Sequence, residues 1–325
     1  MENVVKAGIF GVCVGDALGV PVEFKRREEV QRSPVTDMRA FGTHHQPAGT
    51  LSDDGSLTLC LAEELIKGYN LEKIGQSFVE WKKFGHWTPH GKVFDIGIAT
   101  SQAIHRISKG TPPNLCGGTS ESENGNGSLM RILPLLFYIK DLRIEQRFDK
   151  IKEVSGITHG HIRSVLDCFI YLEFALEILK GKEKWEAYKT MQKTVRKFLD
   201  HHPICSQSEL DKFHRILELK VGAYDLAPLY SLQQEEISSS GYVVSSLEAS
   251  LWCFLNSGSY AEAVLKAVNL GEDTDTTGAV TGGIAGIYYG FEDIPEEWIT
   301  QLVRKEDIEN VCIRLENKLM IRNHE

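Results

Sequence analysis

Apolar side chains recur along most of this chain at intervals of three and four residues, the spacing of one face of an α-helix rather than the alternation of a β-strand. One clear example ends before Gly68, a helix-stopping residue, and consists of Leu57, Cys60, Leu61 and Leu65. Similar segments, separated by breaks rich in Gly, Pro, Asn or Ser, cover residues 165–179, 185–199, 245–255 and 260–267. The sequence therefore predicts an all-α fold.

Two of the predicted helices carry glycine at these same intervals. One stripe comprises Gly8, Gly11, Gly15 and Gly19, and the other comprises Gly278, Gly282, Gly286 and Gly290. Glycine in a helix interior costs about 0.5–1 kcal/mol relative to alanine, so a repeated stripe needs a compensating reason. We expect each stripe to let its helix backbone approach another helix closely.

Paired carboxylates stand at two predicted helix starts, each beside a hydroxyl side chain. The two clusters are Ser52, Asp53 and Asp54, and Asp273, Asp275 and Thr276. A single Asp at such a place is explained as an N-cap. Capping needs only one side chain, however, and adjacent carboxylates repel each other. The doubled clusters therefore predict metal binding, provided that they meet in the folded chain.

The ligand types predict which metals such a site would hold. Carboxylate and hydroxyl oxygens suit magnesium, manganese or calcium, and the chain has no Cys/His pattern of the zinc kind. Four carboxylates would balance the charge of two divalent cations. Because two such ions about 3.5–4 Å apart can orient a substrate and lower the pKa of a shared water, the pattern predicts a hydrolase.

A loop rich in Gly, Ser, Asn and Pro is predicted between Thr111 and Ser128. Its last five residues, 124–128, expose backbone amides and precede a predicted helix, which would favour an anion such as phosphate, although an ordinary turn has the same composition. His159 and His161 fit either a ligand site or a hydrogen-bonded helix start. His44 and its neighbour His45 are expected at a surface or loop end without a role.

Composition excludes several classes of protein. The formal net charge is −9 and no basic block is present, which argues against binding nucleic acid through its phosphates. Seven scattered cysteines without a C-x-x-C pair argue against a disulfide framework or structural zinc and favour the reducing cytoplasm.

The apolar stretch 7–22 contains Asp16 and lacks a convincing signal-peptide cleavage site, so we expect a protein outside the membrane. By length alone, 325 residues fit one large core or two merged ones.

Together these motifs resemble the ADP-ribosylglycohydrolase family. The matching stretches are residues 15–19 with Glu23, 49–54, 94–97, 125–131, 158–159, 241–243 and 271–276. The resemblance extends roughly from Val5 to Gly290 and is weakest between Glu183 and Glu236. It implies one orthogonally packed all-α domain over residues 1–325, with two magnesium or manganese ions in a cleft.

The resemblance also implies roles for individual residues. Ser52, Asp53 and Asp54 would bind the metals from one side, and Asp273, Asp275 and Thr276 from the other. The catalytic residues would be Glu23, Asp54 and Asp95, and the general base remains open among them. The pyrophosphate of ADP-ribose would lie on Asn126, Gly127 and Ser128, with Met130 in the same motif, and the adenine near His159 and Tyr242. Hydrolysis at the anomeric carbon would pass through an oxocarbenium-like state.

Two positions depart from the family pattern: Ser52 replaces the usual threonine, and Gly55 replaces a polar residue. All four aspartates remain, so we expect an active, monomeric enzyme that removes ADP-ribose from a protein side chain, with arginine first among the linkages. Serine-linked or other ADP-ribose conjugates are the alternative substrates. A different two-metal hydrolase acting on nucleotides, and a non-catalytic ADP-ribose-binding or immunity module, are the alternative functions.

Overall fold

Helices dominate the computed structural model, which describes residues 3–219 and 227–322. In these ranges the only β-type pairing consists of isolated bridges. The helices are α1 Val4–Gly19, α2 Arg27–Arg32, α3 Asp53–Lys67, α4 Leu71–Phe84, α5 Ile98–Ser108, α6 Leu133–Ile139, α7 Ile144–Gly156, α8 Ile162–Leu179, α9 Lys184–His201, α10 Gln207–Leu210, α11 His214–Leu217, α12 Val243–Leu255, α13 Tyr260–Val268, α14 Thr274–Tyr289, α15 Glu296–Gln301 and α16 Lys305–Arg322. The predicted all-α class is confirmed.

The two glycine stripes pack against each other, since α1 and α14 form the central helix pair. A Cβ atom built on Gly11 would lie 2.2 Å from the carbonyl oxygen of Gly282, and one built on Gly15 would lie 2.1 Å from that of Gly278. Real Cβ atoms essentially never come within 3.0 Å of another heavy atom in this way. The predicted close approach is therefore confirmed, and each stripe is the other's partner.

The ends of the stripes serve different purposes. A Cβ atom on Gly19 would lie 2.3 Å from the Cα atom of Asp275, so this end of the helix pair brings α1 against the second acidic cluster. At the other end, Gly8 packs on side chains such as that of Ile287. Gly290 caps α14 with a φ of 90° and has open space around it.

Helix α1 is central to the hydrophobic core, which extends as one cluster from Val5 to Leu319. The stretch Val4–Val22 is long and apolar enough to cross a membrane, with a mean hydropathy of 1.5. It is also 89% buried inside the protein, which is the state of a core helix. Its apolar character is therefore explained by packing against the rest of the chain.

Most of the predicted helix positions agree with the observed ones. The segments predicted at 165–179, 185–199, 245–255 and 260–267 lie in α8, α9, α12 and α13. Helix α3 begins at Asp53, which places the paired aspartates in its first turn, as predicted. The helix predicted after residues 124–128 begins at Leu133, because residues 127–131 form turns in which the Met130 amide donates to the Asn126 carbonyl at 3.1 Å.

Candidate active site

The two acidic clusters, 222 residues apart along the chain at Asp54 and Thr276, meet where α3 and α14 begin. The Thr276 hydroxyl donates to the Asp54 Oδ2 atom at 3.4 Å, and the Ser52 hydroxyl donates to the same oxygen at 3.2 Å. Ligand oxygens of Asp273, Asp275 and Glu23 lie within 4.8 Å of one another. The structure thus brings together all six predicted metal-binding residues in one region.

Asp16 holds the backbone at the start of α3, although no sequence pattern indicated this role. Its carboxylate accepts hydrogen bonds from the backbone amides of Ser52, at 3.0 and 3.1 Å, and of Gly55, at 2.8 Å. A Cβ atom on Gly55 would lie 2.7 Å from the Asp16 Oδ2 atom, which explains why a glycine suits this position. The available signal was a lone acid in an apolar helix.

Burial and mutual repulsion disfavour negative charge on the clustered carboxyl groups. Burial is the largest cause that raises the pKa values of Asp53, Asp54 and Asp275 well above the ordinary range, and neighbouring carboxylates raise them further. Burial also raises the pKa of Glu23 to about 7 and that of Asp16 to about 7. A bound cation would remove this penalty.

The donor set fits a hard divalent cation. The Asp54 Oδ1 atom is buried and has no hydrogen-bond partner among residues 3–219 and 227–322, a costly arrangement unless a further group binds it. Ser52 does act as the N-cap of α3, accepting a hydrogen bond from the Asp54 amide at 3.2 Å. That cap uses one side chain and leaves the aspartate pair unexplained. These residues offer only carboxylate and hydroxyl oxygens, the ligands that magnesium and manganese prefer.

The loop around Asn126 forms the wall beside the acidic clusters. The Asn126 side-chain amide donates to the Asp273 Oδ2 atom at 2.8 Å and to the Ser246 hydroxyl at 2.8 Å. Its backbone amide donates to the Gly241 carbonyl at 3.2 Å. One residue therefore joins the loop to the second acidic cluster and to the start of α12.

A buried arginine, not predicted from the sequence, holds the same loop from behind. Arg131 is fully buried, and its guanidinium donates to the carbonyl groups of Gly127 and, at 3.1 Å, Val154. The guanidinium also lies 5.0 Å from the ring centroid of Phe78. Because the Gly127 carbonyl is held inward, Arg131 helps to fix the loop that faces the cleft. The signal was a charged residue in an apolar run.

These walls enclose a cleft of about 670 Å³, a size typical of small-molecule sites. Four predicted substrate residues line it: Asn126, Gly127, Met130 and His159. Glu23, Asp95 and the exposed ring of Phe24 also line the cleft, together with Asp53, Asp54, Asp273, Asp275 and Thr276. The cleft thus has an acidic side and a side built from the loop.

His159 is held as a neutral ring. It is buried, its Nδ1 atom hydrogen-bonds the Thr158 hydroxyl at 2.8 Å, and burial is the main cause that lowers its pKa to about 3. Its ring packs against the loop, since a Cβ atom on Gly127 would lie 2.8 Å from the His159 Cε1 atom. His161 instead caps α8, accepting from the Arg163 amide at 3.2 Å.

Two predicted substrate residues do not line this cleft. Ser128 is fully buried behind the loop, where its hydroxyl accepts a hydrogen bond from the Ser155 hydroxyl at 3.0 Å. Tyr242 forms a bridge with Gly125, and its ring lies 5.7 Å from the Arg163 guanidinium over a neighbouring depression. Contact of either side chain with a ligand stays a prediction.

The mouth of the cleft contains a carboxylate pair with a histidine. Ligand atoms of Glu23, His44 and Asp95 lie within 4.8 Å of one another. Glu23 is 4% exposed and pairs with the His44 Nε2 atom, whereas Asp95 is half-buried. His44, expected at a surface without a role, thus lies beside a predicted catalytic residue.

Comparison with known proteins finds a family model and named relatives that match most of the chain. A family model described as ADP-ribosylglycohydrolase matches residues 1–324. An ADP-ribosylarginine hydrolase Tri1 of Serratia proteamaculans is 30% identical over 95% of this chain and 78% of its own length. An ADP-ribosyl-(dinitrogen reductase) glycohydrolase of Rhodospirillum rubrum is 26% identical over 92% of this chain and 90% of its own.

A solved structure described as an ADP-ribosylglycohydrolase-related protein complex has a TM-score of 0.77 and 27% identity, and it covers 98% of both chains. The likeness therefore includes the fold as well as the sequence. The chain belongs to the ADP-ribosylglycohydrolase family, whose members are hydrolytic enzymes.

Proposed function

We propose that this protein hydrolyses the bond between ADP-ribose and an arginine side chain of a modified protein, with two magnesium or manganese ions. The observation that carries the proposal is the meeting of two aspartate clusters in a cleft whose other wall is the Asn126–Met130 loop. The relative named ADP-ribosylarginine hydrolase supports the choice of arginine. So does the acidic mouth at Glu23 and Asp95, because a guanidinium is cationic.

The proposed metal ligands are the six residues of the two clusters. Ser52, Asp53 and Asp54 approach from α3, and Asp273, Asp275 and Thr276 approach from α14. When bound, the divalent ions supply positive charge that orients the ribose hydroxyl groups and lowers the pKa of water. The unpartnered Asp54 Oδ1 atom supports this assignment.

The loop side of the cleft is the proposed binding site for the rest of ADP-ribose. The loop of Asn126, Gly127 and Ser128 suits the pyrophosphate, with the Gly127 and Ser128 amides as the proposed donors, because the Asn126 amide already donates to the Gly241 carbonyl. The neutral ring of His159 suits an adenine, because a neutral ring can pack against a base without burying charge. Met130 supplies apolar contact in the same wall, and Tyr242 is proposed for the outer edge of the base.

We assign the general base to Glu23. Its pKa, raised to about 7 by burial, suits a group that accepts a proton near neutral pH. Glu23 takes a proton from the attacking water as the water oxygen bonds to the anomeric carbon. The bond from that carbon to the guanidine nitrogen breaks, and its electron pair leaves with the nitrogen. The departing neutral guanidine then takes up the proton that Glu23 accepted.

The remaining two carboxylates are assigned supporting roles. Asp54 accepts hydrogen bonds from Ser52 and Thr276 and lies deep in the cleft, which suits a ligand better than a proton carrier. Asp95 lies half-buried at the mouth, where its negative charge would stabilise positive charge on the ribose ring as the bond breaks.

Release of ADP-ribose from arginine-linked and serine-linked proteins tests the proposal, with magnesium, manganese or a chelator present. Metal-dependent release from arginine, lost in Asp275→Asn, is the expected result. Glu272→Gln is the matched control, because this exposed carboxylate lies in the same loop outside the cleft lining. Release from serine alone would reject the arginine assignment. If folded, metal-loaded protein releases ADP-ribose from neither substrate, the proposed function is rejected, and a nucleotide hydrolase or a binding module is favoured.

We further propose that residues 1–325 act as one domain and as a monomer in a reducing compartment, without binding nucleic acid. One hydrophobic cluster spanning Val5 to Leu319 supports the single domain. All seven cysteines are free, which supports the reducing compartment. The net charge of −9 supports the proposed absence of nucleic-acid binding.

A further inference from the structure

A short loop, residues 41–46, folds over the turn that carries Glu23. A Cβ atom on Gly42 would lie 2.0 Å from the carbonyl oxygen of Pro21, so the two backbones are in direct contact. The Thr43 hydroxyl donates to the Glu23 carbonyl oxygen at 2.7 Å. We call residues 41–46 the brace loop, because its members Gly42 and Thr43 touch the Glu23 turn through backbone and side chain.

His44 is the brace-loop residue that reaches the Glu23 side chain. Its Nε2 atom hydrogen-bonds the Glu23 carboxylate, with both side chains largely buried. Its ring lies between two aromatic rings, with centroid distances of 5.8 Å to Phe24 and 5.2 Å to Phe94. The Gln46 side chain donates to the His44 carbonyl at 2.9 Å. These contacts fix the orientation of the imidazole.

The far side of the Glu23 turn is tied to the loop that carries the second acidic cluster. The Phe24 amide donates to the Glu272 carbonyl at 2.7 Å, and the Glu272 amide donates to the Lys25 carbonyl at 2.7 Å. Phe24 and Glu272 both have positive φ values, 64° and 60°, which are uncommon for residues other than glycine. Such backbone strain concentrates at functional sites. The turn is thus held from both sides.

The Glu23 carboxylate therefore lies between His44 on one side and Asp273 and Asp275 on the other. Asp95 and Asp273 both repel its negative charge. Without a donor on its outer side, a buried Glu side chain would swing away from these carboxylates toward water. Among the described residues, His44 provides the side-chain hydrogen bond that holds the Glu23 carboxylate against this movement.

We infer that His44 is a positioning residue, which holds the Glu23 carboxylate beside the Asp273–Asp275 pair without touching substrate. His44 is absent from the cleft lining, whereas Glu23 is part of it. The inference rests on the proposed function where it concerns catalysis. The geometry of Glu23 is testable separately.

A double-mutant cycle between His44 and Glu23 tests the catalytic part, with kcat and KM measured on arginine-linked substrate at saturating metal. Loss of a hydrogen bond to a charged group predicts that His44→Ala lowers kcat about tenfold to a hundredfold with little change in KM. His44→Gln keeps an N–H donor and should recover most of the loss. In a Glu23→Gln background, His44→Ala should have little further effect, because the two residues act as a unit.

Crystal structures of His44→Ala and His44→Gln test the geometry independently of activity. The Glu23 carboxylate should leave its position in the first variant and keep it in the second. His45→Asn is the matched control, since His45 is the exposed neighbour with a φ of 55°, a conformation that asparagine also adopts readily. This variant should retain wild-type kcat.

Two results would overturn the inference: independent, multiplicative effects of the His44 and Glu23 variants on kcat, or an unmoved Glu23 carboxylate in the His44→Ala crystal. A wild-type protein that releases no ADP-ribose would instead reject the proposed function. The crystal structures would then still decide whether His44 positions Glu23.

Discussion

Replacing Gly15 by alanine should force the central helix pair apart. The added Cβ atom would lie 2.1 Å from the Gly278 carbonyl oxygen and 2.5 Å from its carbon, whereas such contacts are essentially never shorter than 3.0 Å. The helices must therefore separate or shift by roughly 0.9 Å at this point, the difference between 3.0 and 2.1 Å. No side-chain rotation can relieve the overlap, because the Cβ position is fixed by the backbone and its neighbour is a backbone carbonyl group.

The expected loss of stability follows from two opposing effects. Alanine is the better helix former by about 0.5–1 kcal/mol. Overpacking of a rigid interior costs about 1–3 kcal/mol and sometimes more. Since the new methyl group meets a backbone carbonyl that cannot rotate away, we expect the free energy of unfolding of Gly15→Ala to fall by about 2 kcal/mol or more. Urea unfolding of the metal-free protein measures this difference.

Gly156→Ala is the matched control. Gly156 also lies in a helix and is buried, but its nearest contact for a new Cβ atom is 3.7 Å, to the Asn114 carbonyl oxygen. This substitution should be neutral or slightly stabilising. The reasoning would be refuted by a Gly15→Ala protein as stable as wild type while the control behaves as expected.

The same substitution should weaken metal binding, because the glycine contact continues to the site. Gly19 lies against the Asp275 backbone four residues further along α1, and Asp16, next to Gly15, holds the start of α3. Separation of the helices would therefore displace the two acidic clusters relative to each other. Titration calorimetry with manganese should show a lower affinity in the folded variant, and an unchanged affinity would contradict this coupling.

Three further predictions concern the cleft. In the metal-free protein, burial raises the pKa values of Asp16 and Glu23 to about 7, so the folded state binds these protons more tightly than the unfolded state. The free energy of unfolding should therefore fall as the pH rises from about 4 to about 7. Urea unfolding at several pH values measures this, and a flat or rising profile would contradict it. Gly127→Ala should weaken ADP-ribose binding measured by calorimetry while leaving the fold intact, because the new Cβ atom would lie 2.8 Å from the His159 ring, and unchanged affinity would count against the loop as a binding wall. Arg131→Met should lower the free energy of unfolding by about 1–3 kcal/mol in urea, since it leaves buried carbonyl groups without their donor, and a neutral effect would reject the proposed support of the loop.

Short-range patterns were sufficient to predict much of this protein. The spacing of Leu57 and Leu65 indicated a helix, and the Ser52–Asp54 cluster indicated its start, because periodicity and capping depend on residues only a few positions apart. The glycine stripes likewise indicated close helix packing. The helix predicted after the 124–128 loop is present but begins only at Leu133, after turns in which the Asn126 backbone bonds to Met130 and to Gly241.

Long-range packing was required for the rest of the site. No local pattern shows that Gly15 faces Gly278, that Asp54 meets Thr276, or that His44 reaches Glu23. Each of these contacts depends on how whole helices and loops pack around a common core. The sequence between two partners does not indicate that they are in contact. The residue types proposed for metal and anion binding were therefore visible in the sequence, whereas their convergence in one cleft depended on the glycine-lined contact between the first and the fourteenth helix.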